Sequence, residues 1–382
     1  MKTIRVVTIV CWVVVAATML GLAGWFLTGT MFGIRPARSM PFIVGFGTGP
    51  LTGPFNVVGE YSADPAGINN IQVNWTSGEV TIIPHDGNMI EITESAQREL
   101  RDDERMHVSV SGGTVEIRFV DRGISTINMR IPQKRLEVLV PQALSENLNI
   151  LGVGSVSGRV NVDNMAVASL DVGTTSGAIN VSNITSREVD LNSTSGRIEV
   201  INVVAENMTL DSTSGAVNVD SSRANDMEID TLSGAITVTD SAATAIDLDS
   251  TSGRVSASGV FDGVEANSLS GAISIDSTAV GSVVNAGSNS GRVELLGDFT
   301  NVNVRTSSGS ITVRSNTVPE TINAESSSGR MSITVPNVGY VSVSHSTGSG
   351  RFNSEIPVLV QSTDARFTLS TRSGNINIYE LR

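Results

Sequence analysis

Two kinds of charged residue recur at a nearly fixed stride, and each could do chemistry. Aspartates stand at Asp171, Asp190, Asp211, Asp230 and Asp249, 19 or 21 residues apart. Brought into one column, such carboxylates could hold calcium, or supply the carboxylate pair of a polysaccharide-cleaving enzyme. Arginines stand at Arg159, Arg197, Arg254, Arg292 and Arg330, each directly after a Ser-Gly pair. A spaced row of guanidinium groups suits an acidic polymer of the cell envelope, such as teichoic acid or another anionic glycan. The same row also suits a plain solvated face that keeps a β protein soluble.

Other chemistry finds little support in the residues. His85, His107 and His345 lie far apart, with no ligand partner at metal spacing. No serine sits in a nucleophile elbow or a recognisable Ser/His/Asp arrangement. The Gly-rich calcium nonapeptide and any phosphate-cradling loop are absent. The single cysteine, Cys11, lies in an apolar leader, which excludes an internal disulfide and Cys-based metal sites. No catalytic residue, metal or cofactor is expected.

The elements that position these residues follow from a repeat. The Gly of Ser-Gly falls at 158, 177, 196, 215, 234, 253, 271, 291, 309, 329, 350 and 374; the first five intervals are each 19 residues. A period near 20 marks a solenoid. Each unit has two β-like halves, such as MTLDST before the pair and AVNV after it. In the second half Val217 and Val219 share one face, and the register recurs at Val160/Val162, Ile179/Val181, Ile198/Val200, Ile236/Val238, Ile273/Ile275 and Ile311/Val313. One unit cannot bury enough surface to offset its ordering, so units must stack. The fold expected is all-β: a parallel β-solenoid, or β-helix, with coils of about 19 residues stacked about 4.8 Å apart. An antiparallel sandwich is the alternative. In the solenoid, Ser-Gly is read as a corner at which Gly takes positive φ and Ser bonds local backbone. The residue after Gly points outward and toggles between Arg and Ala, which keeps like charges two coils apart. In sequence order Arg330 and Arg351 break the toggle. Glu199 and Glu294 are expected to pair weakly with Arg197 and Arg292.

Four regions follow. Residues 1–34 form an N-terminal anchor: no charge occurs from Val6 to Ile34, enough for one transmembrane helix, with a cleaved signal peptide as the alternative. Residues 35–67 are a Pro/Gly-rich linker, residues 68–147 an irregular β region, and residues 148–382 the regular repeats. Net charge is −13, and the body beyond the basic leader is more acidic still, which excludes nucleic acid as a partner. The body is expected outside the cytoplasmic membrane, in contact with the membrane through the helix and with an envelope polymer or protein.

INNIQVNWTSGEVTII (68–83), RLEVLVPQAL (135–144) and the ladder of SG plus a β-dipeptide resemble the DUF4097 β-strand-repeat family, whose members carry an adhesin label. The resemblance covers about residues 68–382. It implies a β-solenoid-like envelope or membrane-associated protein, and no catalytic residue. Family members often have Asp after Ser-Gly, where this chain has Arg, Ala, Ser or Asn. The reading is therefore a non-enzymatic, membrane-anchored structural, adhesive or envelope-sensing module. A self-assembling scaffold joined through its last coil is one alternative, with Tyr379, Glu380 and Arg382 as a polar cap. A carbohydrate-active β-helix is another.

Overall fold

The structure, a computed structural model, describes residues 54–120, 132–337, 339–359 and 364–382. The expected membrane helix, and PFIVGF at 41–46, lie outside them. Among the described residues no helix is long and apolar enough to cross a membrane. The account below concerns the unit formed by residues 54–119 and 132–382.

Alternating apolar residues make strands, and the repeat stacks them in register. Long strands at Leu148–Ser155, Ala166–Thr174, Thr185–Ser193, Asn207–Ser212 and Arg223–Thr231 form one parallel sheet. Short strands at Arg159–Asp163, Ile179–Ser182, Ile198–Ile201 and Val217–Asp220 form a second. From Ile236–Ser250 to Val293–Thr306 one strand runs from the short sheet through the far corner into the next long strand. This is the parallel solenoid. Inward residues of both sheets, such as Ile198, Val200, Met208 and Leu210, are buried, as their alternation requires.

The Ser-Gly corner works differently from the sequence expectation. Gly78 of Ser77-Gly78, which stacks next to Gly158, has positive φ, at 103°, but none of the twelve repeat glycines from Gly158 to Gly374 does. Each is needed because the coils approach too closely for a side chain: a Cβ on Gly196 would stand 1.6 Å from the carbonyl oxygen of Gly177. The serine beside it faces solvent. The hydroxyl that bonds the corner comes from the buried Ser or Thr three residues before Gly: Ser193 Oγ accepts the Gly196 N–H at 2.8 Å, and Thr174 Oγ1 accepts that of Gly177 at 3.0 Å. Left-handed backbone occurs at the opposite corner instead, at Asn164, Asn183, Asn202, Ser221 and Asp240, with φ from 48° to 57°. Asn tolerates this conformation, and it stacks: Asn202 Nδ2 donates to Asn183 Oδ1 at 2.7 Å.

At both ends the coils leave sequence order. Near the N-terminus, Asn70–Trp75 and Gly78–His85 lie between the coil of Thr114–Arg118 with Lys134–Pro141 and the coil of 148–163. Antiparallel strands cover that end: Ile90–Ala96 pairs with Lys134–Pro141, and Asn56–Ala63, inside the expected linker, pairs with Ile90–Ala96. Near the C-terminus, Arg366–Thr371 and Ile376–Glu380 insert between the coil of 321–335 and that of 341–354. The last coil in sequence is thus not the last in space. Tyr379 and Glu380 belong to an interior coil, so the expected polar cap is not at the end.

Candidate functional site

The residue after each Ser-Gly begins the short strand, where the next residue must turn inward. It therefore faces out, and the parallel ladder stacks it on its counterparts. In spatial order the column reads Arg159, Ala178, Arg197, Ala216, Ala235, Arg254, Ala272, Arg292, Ser310, Arg330, Asn375, Arg351. All five arginines picked out in the sequence share this column, and Arg351 extends it. No two are adjacent. The apparent break at Arg330 and Arg351 is removed by the inserted last coil, which places Asn375 between them. With coils about 4.8 Å apart, the arginines stand about 10 or 14 Å from one another along roughly 50 Å. All six are exposed. Before Arg159 the column continues through Glu79 to Arg135, which are paired at 3.4 Å. Among the described residues, Arg197 and Arg292 make no ion pair with Glu199 or Glu294, contrary to expectation.

Two polar columns flank the arginines. On one side is the exposed serine of every Ser-Gly pair, from Ser157 to Ser349. On the other are the next outward residues of the short strands, mostly Asn, Ser and Thr, interrupted by Glu199 and Glu294.

The carboxylates lie on the outer face of the long-strand sheet, and they do not form the single column expected. The step from 190 to 211 is two residues longer than the repeat, so the register splits them. Asp171 and Asp190 head one column, which continues through Thr209 to Glu228, Asp247 and Glu265. Asp211, Asp230 and Asp249 stack directly in the next. Partial burial, then the neighbouring carboxylates, push Asp211 up to about 6 and Asp230 and Asp247 up to about 7. The Oδ1 atoms of Asp247 and Asp249 are enclosed and accept no hydrogen bond from the described residues. Among the described residues no three His, Cys, Asp or Glu side chains converge in a metal-binding geometry.

Sequence reading missed a buried ionic network at the N-terminal end. Lys134 and Glu94, both fully buried, pair at 2.6 Å. The Lys134 ammonium also donates to the carbonyls of Glu104 and Phe119 and lies 3.8 Å from the Phe119 ring centroid. Burial lowers the Lys134 pKa, and Glu94 opposes that shift. The Arg98 fork, with help from Arg101, holds Glu104 down at about 2. A lysine in a strand-like segment was the available signal: the chain has only two, Lys2 and Lys134. The histidines stay apart. His85 bonds the Met89 carbonyl, and His345 stacks on Phe352 at 3.9 Å.

Among solved structures, similar ones include a "putative adhesin" from Parabacteroides merdae, with 10% identity over 86% of this chain and 97% of that one and a TM-score of 0.38. Another "putative adhesin", from Bacteroides fragilis, shares 15% over 84% and 95%, with a TM-score of 0.27. A "putative cell adhesion protein" from Clostridium sporogenes shares 8% over 86% and 100%, with a TM-score of 0.25. Likeness this weak says nothing about activity. No curated protein matches. The family model described as Toastrack DUF4097 matches residues 68–277 and 226–379, most of the chain. The chain belongs to the DUF4097 (Toastrack) family.

Proposed function

We propose that the chain is a non-enzymatic module of the cell envelope, anchored in the membrane through residues 1–34 and holding its solenoid outside the cytoplasm for adhesion or envelope structure. The observation that carries this reading is the outward column Arg159 to Arg351, whose arginines make no ion pair among the described residues and never stack on one another, the inserted coil keeping Arg330 and Arg351 apart. A column of that length suits a partner laid along the surface.

The test is localisation. Expressed in bacteria, the chain should remain in the membrane fraction through a carbonate wash. Protease added outside spheroplasts should degrade the solenoid. Recovery in the soluble fraction, or a solenoid protected from external protease, overturns the reading.

Self-association is a second reading, favoured by one observation. Among the described residues, Ser344–Thr347 of the outermost coil has a strand partner on one side only. The other end is covered by antiparallel strands, so pairing through this edge would give a closed tail-to-tail dimer and not a filament.

A further inference from the structure

We infer that the arginine column, with the serine column beside it, is a docking strip for a linear phosphate-class polyanion lying along the solenoid axis. This rests on the proposed envelope role only for where such a polymer would be met. Three observations carry it. First, every exposed cation of the repeats is Arg and none is Lys. The guanidinium fork matches phosphate oxygens, two at a time, better than an ammonium does. Second, the residue before each Ser-Gly glycine is serine in all twelve coils and is exposed in all of them. In nine of the twelve coils the corner does not need that hydroxyl, because the Ser or Thr three residues before Gly already bonds the glycine N–H. Among the described residues, only the Ser157 and Ser328 hydroxyls of the twelve reach a protein acceptor. The other ten can donate to a ligand. Third, the two columns run parallel for about 50 Å with no enclosing pocket, so the strip would read a polymer by its length.

Each arginine alone contributes little at an exposed surface. Affinity must come from several contacts on one chain, which gives a steep dependence on ligand length and on salt. The acidic columns on the other sheet repel the same polymer and leave this one face available. Glu199 and Glu294 oppose binding locally.

The experiment uses the full-length chain in detergent micelles, with tripolyphosphate, long-chain polyphosphate and a polyuronate of similar length as probes, read by fluorescence anisotropy. Long-chain polyphosphate should bind at least roughly ten-fold tighter than tripolyphosphate, and weaken as salt rises. The triple variant R197A/R254A/R292A should lose at least about ten-fold. The triple variant R187A/R223A/R305A, equal in charge but off the strip, should lose about two-fold or less. E199Q/E294Q should bind a few-fold tighter, roughly what removing two nearby like charges allows. No binding, no length dependence, or equal loss in the two arginine triples overturns the inference. Equal binding of the polyuronate overturns the phosphate assignment. Any of these results leaves the membrane-localisation experiment unaffected.

Discussion

The arginine column and the aspartate columns lie on the same lattice of coils, yet they treat like charge in opposite ways. On the short-strand sheet, Ala, Ser or Asn separates every arginine from the next. On the long-strand sheet, Asp211, Asp230 and Asp249 stack on consecutive coils, beside Glu228, Asp247 and Glu265. Burial first, and the neighbouring carboxylates second, raise the pKa values of Asp211, Asp230 and Asp247. A parallel solenoid repeats each outward residue at about 4.8 Å, well inside a Debye length of about 8 Å. Spacing is therefore a sequence choice, made on one face and not on the other.

The most severe way to break the comparison is to remove the lattice under both faces. Gly196→Ala places a Cβ against the Gly177 carbonyl and should cost about 3 kcal/mol or more, seen as a lowered denaturation midpoint. An unchanged midpoint would mean the coils are not this close. Next in size is the pH response of the carboxylates. Asp211, Asp230 and Asp247 give up their protons near 6 to 7 when folded, against an ordinary value of 3.8. Between those values the folded state binds more protons than the unfolded chain, so stability should fall as pH rises from about 4 to 7. Glu104 acts in the other direction: held at about 2 against 4.5, it adds stability above 4.5 that is lost as pH drops toward 2. Melting temperature should thus peak at roughly pH 4–5. A curve rising from pH 5 to 7.5 would contradict the stacked carboxylates.

A single substitution sharpens this. Asp230→Asn should raise the melting temperature by about 2 °C at pH 8 and leave it unchanged at pH 4. A gain at both pH values would point to packing and not to charge. The smallest effect tests the interleaving. Asn375→Arg should create three consecutive arginines with Arg330 and Arg351, costing roughly 0.5 kcal/mol at low salt and nothing measurable at high salt. Ala272→Arg, between Arg254 and Arg292, should behave alike. Salt sensitivity in Ala272→Arg alone would place Asn375 elsewhere.

Much of the solenoid is legible in the sequence because one signal repeats: the 19-residue stride fixes coil size, and the alternation at Ile198 and Val200 fixes which face is inward. The arginine column is legible for the same reason. Three things are not. The reason for Gly196 lies in a contact with the coil before it, which no local pattern encodes. The division of the aspartates depends on where two extra residues between 190 and 211 are absorbed, and the strand register decides that. The order of the end coils is hidden altogether, because coils 321–335, 341–354 and 366–380 carry the same motif and any of them can stack on any other. Lys134 and Glu94 were hidden for a different reason: each looks like an ordinary surface charge until antiparallel strands close over it.

The interleaved ends also bear on how the molecule responds to tension. A solenoid built in sequence order can be peeled from either terminus, one coil and one ladder at a time. Here a pull on Glu380 draws on strands bonded to neighbours on both sides, whereas a pull from the N-terminal side first meets Asn56–Ala63, bonded to one neighbour, and only then the doubly bonded Asn70–Trp75. At the C-terminal side, two ladders must shear together before the inserted coil is released. Tension applied there meets its greatest resistance at the first step, where a coil stacked in sequence order would yield one ladder at a time.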